Sequence, residues 1–375
     1  MSLYFRYRIL LLLFALSGVS HLLAQEEKKL SKFDKFNKKA EALFKILPVP
    51  IFSHSSEAGN VFGLAKFNLF RLSKADTLSQ PSKISGVISS STKGRINFSI
   101  ANDLIFSSGR YMILSYVNFK KQPEYFFGIG NDVSIDNLEQ IEFSRWKFSS
   151  SVMRKVAQQY AYVGIALDAA TYYNVKLDSN SLIIEDEITG REGGKSFGFG
   201  LAAAWDSRDN RYNPFKGSLL LTNLMLFPDG LSDHEFFKFE LDVRKYYNPW
   251  LKHVVAIQAT TSIRTGNVPF YELSMLGGED KMRGYYKGAL RDKVLVDAQV
   301  EYRLPVWNIF GVTTWLGTGR VAPSMDSLSF RDWWVSYGAG IRIRVDSKNN
   351  TNLRLDFGFA PGKIKAFYIN FAEAF

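Results

Sequence analysis

The chain of 375 residues contains no cysteine and only four histidines. Without cysteine there is no disulfide framework and no thiolate metal site, so stability has to come from burial or backbone pairing. No Gly-x-Ser-x-Gly, His-Glu-x-x-His or phosphate-loop pattern occurs. Gly198-Phe199-Gly200 sits inside an alternating run, where glycines serve packing rather than phosphate binding. Asp233-His234-Glu235 places one histidine in a loop with no ligand cluster beside it. The expectation is a protein that is not an enzyme, with no catalytic residue, cofactor or metal. Apolar runs are also short. The longest near the start, from Ile9 to Leu16, cannot span a bilayer as a helix, and no second run follows it.

That run follows Arg6 and Arg8 and precedes Leu22-Leu23-Ala24, the pattern of a secretory signal peptide over residues 1–24. The chain has 47 Lys and Arg against 36 Asp and Glu, a formal charge of +11. Without 1–24, which hold two arginines and no acid, the balance is 45 against 36, or +9. The cations are spread singly through an exported chain, which argues against nucleic acid as a partner. Aromatic residues make up 15%, with 31 Phe and 18 Tyr, while the mean hydropathy is −0.10. Such a composition suits a barrel with an apolar outer band and aromatic girdles.

Alternation with period two dominates from about residue 59 onward. Val335, Tyr337, Ala339, Ile341, Ile343 and Val345 share one face, opposite Ser336, Gly338, Gly340, Arg342 and Arg344. Residues 294–304 and 353–359 repeat the pattern, with Asp297, Glu301 and Asp356 on the polar side. Charges recurring at mid-strand fit a wet lumen and not a dry core. Fifteen such segments can be traced, the first near 57–71 and the last near 364–375. Bacterial barrels need an even number, and a short strand near Tyr125–Gly130 would supply the sixteenth. The predicted fold is therefore all-β: a transmembrane antiparallel β-barrel of 16 strands over 51–375, with a long loop at 265–291 folded into its lumen. Residues 25–50 differ. Lysines surround Leu30, Phe33, Phe36, Leu43 and Leu47 at spacings of three and four, which predicts a basic amphipathic helix. It serves either as a periplasmic tether or as a helix on the anionic leaflet surface or in the barrel mouth.

Three motifs carry a resemblance. Gly277 to Tyr285 ends in Arg283-Gly284-Tyr285 within the long loop, and Glu301-Tyr302-Arg303-Leu304-Pro305 follows it. Asp206, Arg208, Asp209 and Asn210, with Pro214 and Gly217, make a turn of residues that bond backbone N–H groups, fix φ or accept positive φ. Phe367, Ile369, Phe371 and Phe375 share one face of a final strand by alternation. In this order they resemble the barrel domain of the BamA/TamA family of bacterial surface antigens. The resemblance implies an outer-membrane location and a loop arginine docked on the inner wall. It also implies a C-terminal recognition strand, and a first strand, entered at Pro48-Val49-Pro50, that pairs weakly with the last. The family's acid for that arginine lies in an F-x-D-x-G strand, but here the strand reads Trp315-Leu316-Gly317-Thr318-Gly319. Asp297, Glu301 and Asp356 are the replacement candidates, since a buried unpaired arginine is costly.

The resemblance does not extend to the family's POTRA repeats, so a barrel-only member is expected. Its role would be outer-membrane biogenesis or transfer of a polypeptide or lipid. The alternatives are a passive porin-like channel and a surface antigen anchoring a separate partner. The partners implied are outer-membrane lipid and, beyond that, a client polypeptide or a separate periplasmic protein. A monomer is expected.

Overall fold

The computed structural model describes residues 46–375 and, before them, 35, 38, 39 and 41–43. Short stretches at 56–58, 74–75, 77–78, 107–108, 135–138, 157–159, 178–180, 186 and 362–363 are left out. The expected signal peptide and most of the expected amphipathic helix lie outside the described residues; those described between 35 and 43 are helical.

Sixteen strands form one antiparallel sheet in chain order. They begin with β1 (Val49–Ser55), β2 (Gly59–Phe70), β3 (Ser82–Ser91), β4 (Ile96–Phe106) and β5 (Tyr111–Phe126). β6 (Glu139–Lys155), β7 (Ala161–Lys176), β8 (Gly194–Asp206), β9 (Gly217–Phe227), β10 (Phe236–Tyr247) and β11 (Val254–Gly266) follow. A small hairpin of β12 (Ser274–Leu276) and β13 (Leu290–Asp292) stands apart inside the next loop. The sheet then resumes with β14 (Val294–Trp307), β15 (Phe310–Ala322), β16 (Trp334–Asp346), β17 (Thr351–Ala360) and β18 (Ile364–Phe371).

The count of sixteen matches the expectation, but one strand arises elsewhere. No separate strand forms at Tyr125–Gly130, because β5 runs unbroken to Phe126 and pairs with β6 up to Phe126↔Glu139. The additional strand is β1, whose Pro50 pairs with Leu64. Proline gives up a ladder donor, which is tolerated on an edge strand. β1 is such an edge: it pairs with β2, and no ladder joins it to β18 among the described residues, although the two strands adjoin.

Alternation sorts the side chains as a bilayer requires. Ile88, Ile165, Leu201 and Leu224 are exposed on the outer face. Trp146, Tyr173, Phe197 and Tyr337 lie outward toward one rim, and Tyr111, Tyr160, Trp205, Tyr247 and Trp307 toward the other. An apolar band this large would be a severe liability in water. In lipid it is the outer coat of a nearly closed barrel, whose ladders satisfy the backbone groups that hydrocarbon cannot, everywhere but at the β1–β18 seam. Most short turns, such as 308–309 and 347–350, lie at one rim, the turn end; the longest loops, such as 177–193 and 267–293, lie at the other, the loop end.

Candidate functional site

The loop from 267 to 293 lies inside the barrel and reaches both walls. On one side Arg291 meets Glu124 at 3.5 Å, donates to the Tyr125 carbonyl and stacks over Phe126, all on β5. On the other, Arg283 enters a pocket formed by β14, β15 and β17. The backbone around it is sharply bent: Met282 has φ 46° and Gly284 φ 118°, both left-handed. A Cβ at Gly284 would stand 2.8 Å from the Phe359 carbonyl oxygen, and one at Gly358 would stand 2.6 Å from the Gly284 nitrogen. The loop therefore lies directly on β17, with a glycine on each side of the contact. Tyr368 and Tyr285 secure the edges. The Gly284 N–H donates to the Tyr368 hydroxyl at 3.2 Å, and the Tyr285 hydroxyl donates to the Val335 carbonyl at 3.0 Å. Burial pushes the Tyr285 hydroxyl up to about 12, so it remains a donor.

Arg283 is fully buried. Its two terminal nitrogens reach Glu301 at 2.6 Å and Asp356 at 2.7 Å, and its guanidinium lies 3.8 Å from the centre of the Trp315 ring. Of the three candidate acids, the structure brings two to the arginine. Asp297 is not a partner: it accepts a hydrogen bond from Thr260 at 2.6 Å, nearer the loop end of β14. Gly317 leaves room that Met282 takes up, since a Cβ there would meet the Met282 sulfur at 3.4 Å and Ser336 Oγ at 3.1 Å.

The pair is part of a larger network. Arg342 bridges Asp356 and Glu373, both at 2.6 Å; Arg303 joins Glu301 at 2.8 Å; Arg354 reaches Asp280 of the loop at 2.8 Å. Arg283, Arg303, Arg342 and Arg354 thus face Glu301, Asp356, Glu373 and Asp280, which balances the charge. Charge-assisted and forked hydrogen bonds of this kind are stronger than neutral ones. Their desolvation cost makes the loss of any one partner expensive. Glu373 lies beyond the last strand. Burial alone would raise its carboxyl, but the Arg342 and Arg303 guanidiniums outweigh this and hold it below the usual carboxylate range. Trp315, Tyr368 and Glu373 were not singled out by sequence reasoning. Inward alternation signals the first two, whereas Glu373 is signalled only by misfit, since continued alternation would set its carboxylate on the lipid-facing side with Phe367.

The turn between β8 and β9 does more than reverse the chain. Asp206 holds Arg208 at 2.8 Å and Arg211 at 3.0 Å. Asp209 accepts the backbone N–H groups of Asn210, Phe215 and Lys216, and Asn210 those of Tyr212 and Asn213. Pro214 is buried within the turn, and Gly217, at φ 108°, has no room for a Cβ beside the Ser207 carbonyl. So braced, the turn crosses the mouth of the barrel. Gln80 spans it with bonds to Arg208 and Arg211, Tyr212 donates to Pro81, and Asn210 and Asn213 donate to Asn349 and Asn350.

The chain end departs from expectation. Phe367 faces outward, and Ile369 follows it by alternation. Phe371 stacks on Phe67 of β2 at 5.5 Å. Phe375 does not share their face. Ala372, at φ 64°, ends the strand, and the chain turns into the lumen. There Phe375 is buried with Tyr246, Val254 and Ala256, and its carbonyl accepts from Arg303 at 2.6 Å. Two luminal arginines waiting for Glu373, and an apolar pocket for Phe375, outweigh one further turn of strand pairing. The lumen keeps a cavity of about 410 Å³ lined by polar residues such as Tyr116, Lys147, Asp168, Lys238 and Glu240.

A membrane-spanning barrel with its lumen filled by a docked arginine loop is the class of protein these features define. The sequence matches the Omp85 superfamily domain over residues 60–375, and the chain belongs to that family of bacterial outer-membrane proteins. No curated protein matches it by sequence. Among solved structures, it is similar in fold to BamA from Haemophilus ducreyi lacking POTRA domains 1–3 (12% identity, 87% of this chain and 69% of that one, TM-score 0.55). It is also similar to CdiB from Escherichia coli (13%, 87% and 62%, 0.53) and CdiB from Acinetobacter baumannii (12%, 87% and 58%, 0.51). The chain thus spans less than two thirds of either CdiB.

Two substitutions test the docked loop. Arg283→Ala leaves Glu301 and Asp356 buried without their shared cation, and should lower stability by roughly 3–5 kcal/mol. Arg283→Lys should recover little of this, because one ammonium cannot fork to two carboxylates over an indole ring. The urea midpoint of heat-modifiable gel migration reads both; a Lys variant as stable as the parent would refute the forked geometry. Gly284→Ala, strained at φ 118° and crowded against Phe359, should cost about 2 kcal/mol or more in the same assay.

Proposed function

We propose that this barrel works in outer-membrane biogenesis, admitting a polypeptide or lipid at the seam between β1 and β18, and that it catalyses no covalent chemistry. The observation that carries the reading is the seam itself: sixteen strands pair in series, yet among the described residues the first and last share no ladder. An unpaired edge is a template for another strand. Family membership and the likeness to BamA and CdiB barrels support this reading. The role of those proteins is not carried over residue by residue at such low identity.

Contacts other than a strand ladder hold the seam. Phe67 of β2 stacks on Phe371 of β18, Tyr212 of the mouth-crossing turn packs edge-on against Phe67, and its carbonyl accepts the Glu373 N–H. A clasp of this kind breaks at a lower cost than a strand ladder. The passive-channel reading is disfavoured by the same geometry, since the 267–293 loop and the 207–216 turn occupy the lumen from opposite ends. The non-enzymatic reading is supported by the contacts of Asp233, which accepts the Lys195 N–H, and of His234, which lies against Asn267.

Purified protein in planar bilayers should show a closed baseline with rare openings; a steady open conductance would refute the reading in favour of a porin. Phe67→Ala, which removes an aromatic pair worth about 1 kcal/mol, should raise the opening frequency about fivefold. In cells, depletion should reduce the amounts of other outer-membrane proteins or of one client, and an unchanged outer-membrane proteome would argue against an assembly role.

A further inference from the structure

The two rims of the barrel carry different charges. At the turn end the exposed charges include Arg110, Arg154, Lys216, Lys245, Lys252 and Lys348, and Asp209 is the one exposed acid of the turns among the described residues. The loop end is mixed, with exposed acids such as Glu187, Asp229, Asp233, Asp326 and Asp332 interspersed with the exposed cations Lys93, Arg191, Lys195 and Arg331. Two of the turn-end cations are in strands, on the face that meets lipid. Lys245 lies between Val243 and Tyr247 on the outer side of β10, while its neighbour Tyr246 is buried inward. Arg154 follows Val152 on the outer side of β6, with Met153 buried between them.

Around Lys245 the cations gather with aromatic rings. Lys216 ends the turn before β9, and Lys252 lies in the turn after β10, beside exposed Trp250 and Leu251. The Lys245 ammonium donates to Ser218 Oγ at 3.0 Å and stands 5.5 Å from the Tyr247 ring centre. None of the three ammonium groups meets a carboxylate among the described residues. All three are exposed beside Tyr247 and Trp250, residue types that mark the membrane–water boundary.

We propose that the turn-end rim around Lys216, Lys245 and Lys252 binds the phosphate of anionic phospholipid headgroups and makes this barrel select such lipids in the adjoining leaflet. The position of the cations decides the occupant. Lys245 projects from a lipid-facing strand surface continuous with Val243, where a soluble acidic protein has no access. The aromatic neighbours supply the interfacial anchoring that keeps the headgroup at that height. Attraction of this kind is worth about a fivefold gain in local lipid per cation near the surface, and salt screens it.

The test is lipid selectivity of the full-length protein reconstituted in phosphatidylcholine, read by electron spin resonance with spin-labelled phosphatidylglycerol or phosphatidylcholine as probe. Phosphatidylglycerol should be favoured in the motionally restricted shell about fivefold, and the preference should vanish at about 1 M NaCl. Lys216→Gln/Lys245→Gln/Lys252→Gln should remove most of it at low salt, whereas Lys93→Gln/Arg331→Gln at the loop end should leave it intact. Equal association of the two probes with the unaltered protein would overturn the proposal, and so would a preference that survives the triple substitution. The salt arm uses the unaltered protein, so the outcome does not depend on the variants folding.

Discussion

The Arg283 guanidinium, held between Glu301 and Asp356 above the Trp315 ring, is the contact on which the interior depends. It joins a loop whose short β12–β13 hairpin stands outside the barrel sheet to three strands of the wall. Because the two carboxylates are also held by Arg303 and Arg342, the loop, β14, β16, β17 and the chain end share one charge-balanced network. A lumen without that loop would be a wide aqueous path. With it, the loop-side interior is packed, and the other mouth is crossed by a turn braced on Asp206.

This arrangement gives the barrel two unlike halves. From β14 to β18 the wall is tied inward by buried ion pairs and by a tail that folds back over it. From β4 to β10 the lumen keeps a cavity lined by polar residues between the packed loop and the turn. The seam lies at the edge of the tied half. β18 is anchored beyond its end through Glu373, whereas among the described residues β1 is held by β2 and the clasp. If the seam parts, β1 and β2 are therefore the side that yields, because moving β18 would also strip Glu373 from two arginines.

Much of this was legible in the sequence because lipid and lumen impose opposite chemistry on alternate residues. Ile341 and Ile343 against Arg342 and Arg344 cannot be read another way. The even strand count was legible too, but its reason was not. Pro48 and Pro50 look like a helix stop, and only an edge position makes Pro50 acceptable in β1. Residues 371–375, Phe-Ala-Glu-Ala-Phe, put Phe375 on the face of Phe371 on paper, but only by placing Glu373 on that apolar face as well. Their departure into the lumen depends on Arg303 and Arg342, far away in sequence, and Ala372 at positive φ gives no local warning. The choice of Asp356 and Glu301 over Asp297 was likewise tertiary: all three face inward, and only the depth to which the loop descends selects among them.

Gly317 at first suggests a missing part, but the surrounding wall shows how the lock is made without an acid there. Trp315 pairs across β16 with Gly338, which in turn pairs with Gly358 of β17. A Cβ at Gly338 would stand 2.3 Å from the Trp315 indole, and one at Gly340 would stand 2.1 Å from the Asp356 carboxylate. Inward-facing glycines in strands mark close approach, and here they clear a trench. The indole lies flat in it, the loop backbone passes over Gly358, and the Asp356 carboxylate leans across Gly340 toward Arg283. The requirement is a second carboxylate within reach of a forked cation, and that requirement concerns geometry rather than strand position. An acid two strands further along meets it because three glycines remove what would stand between.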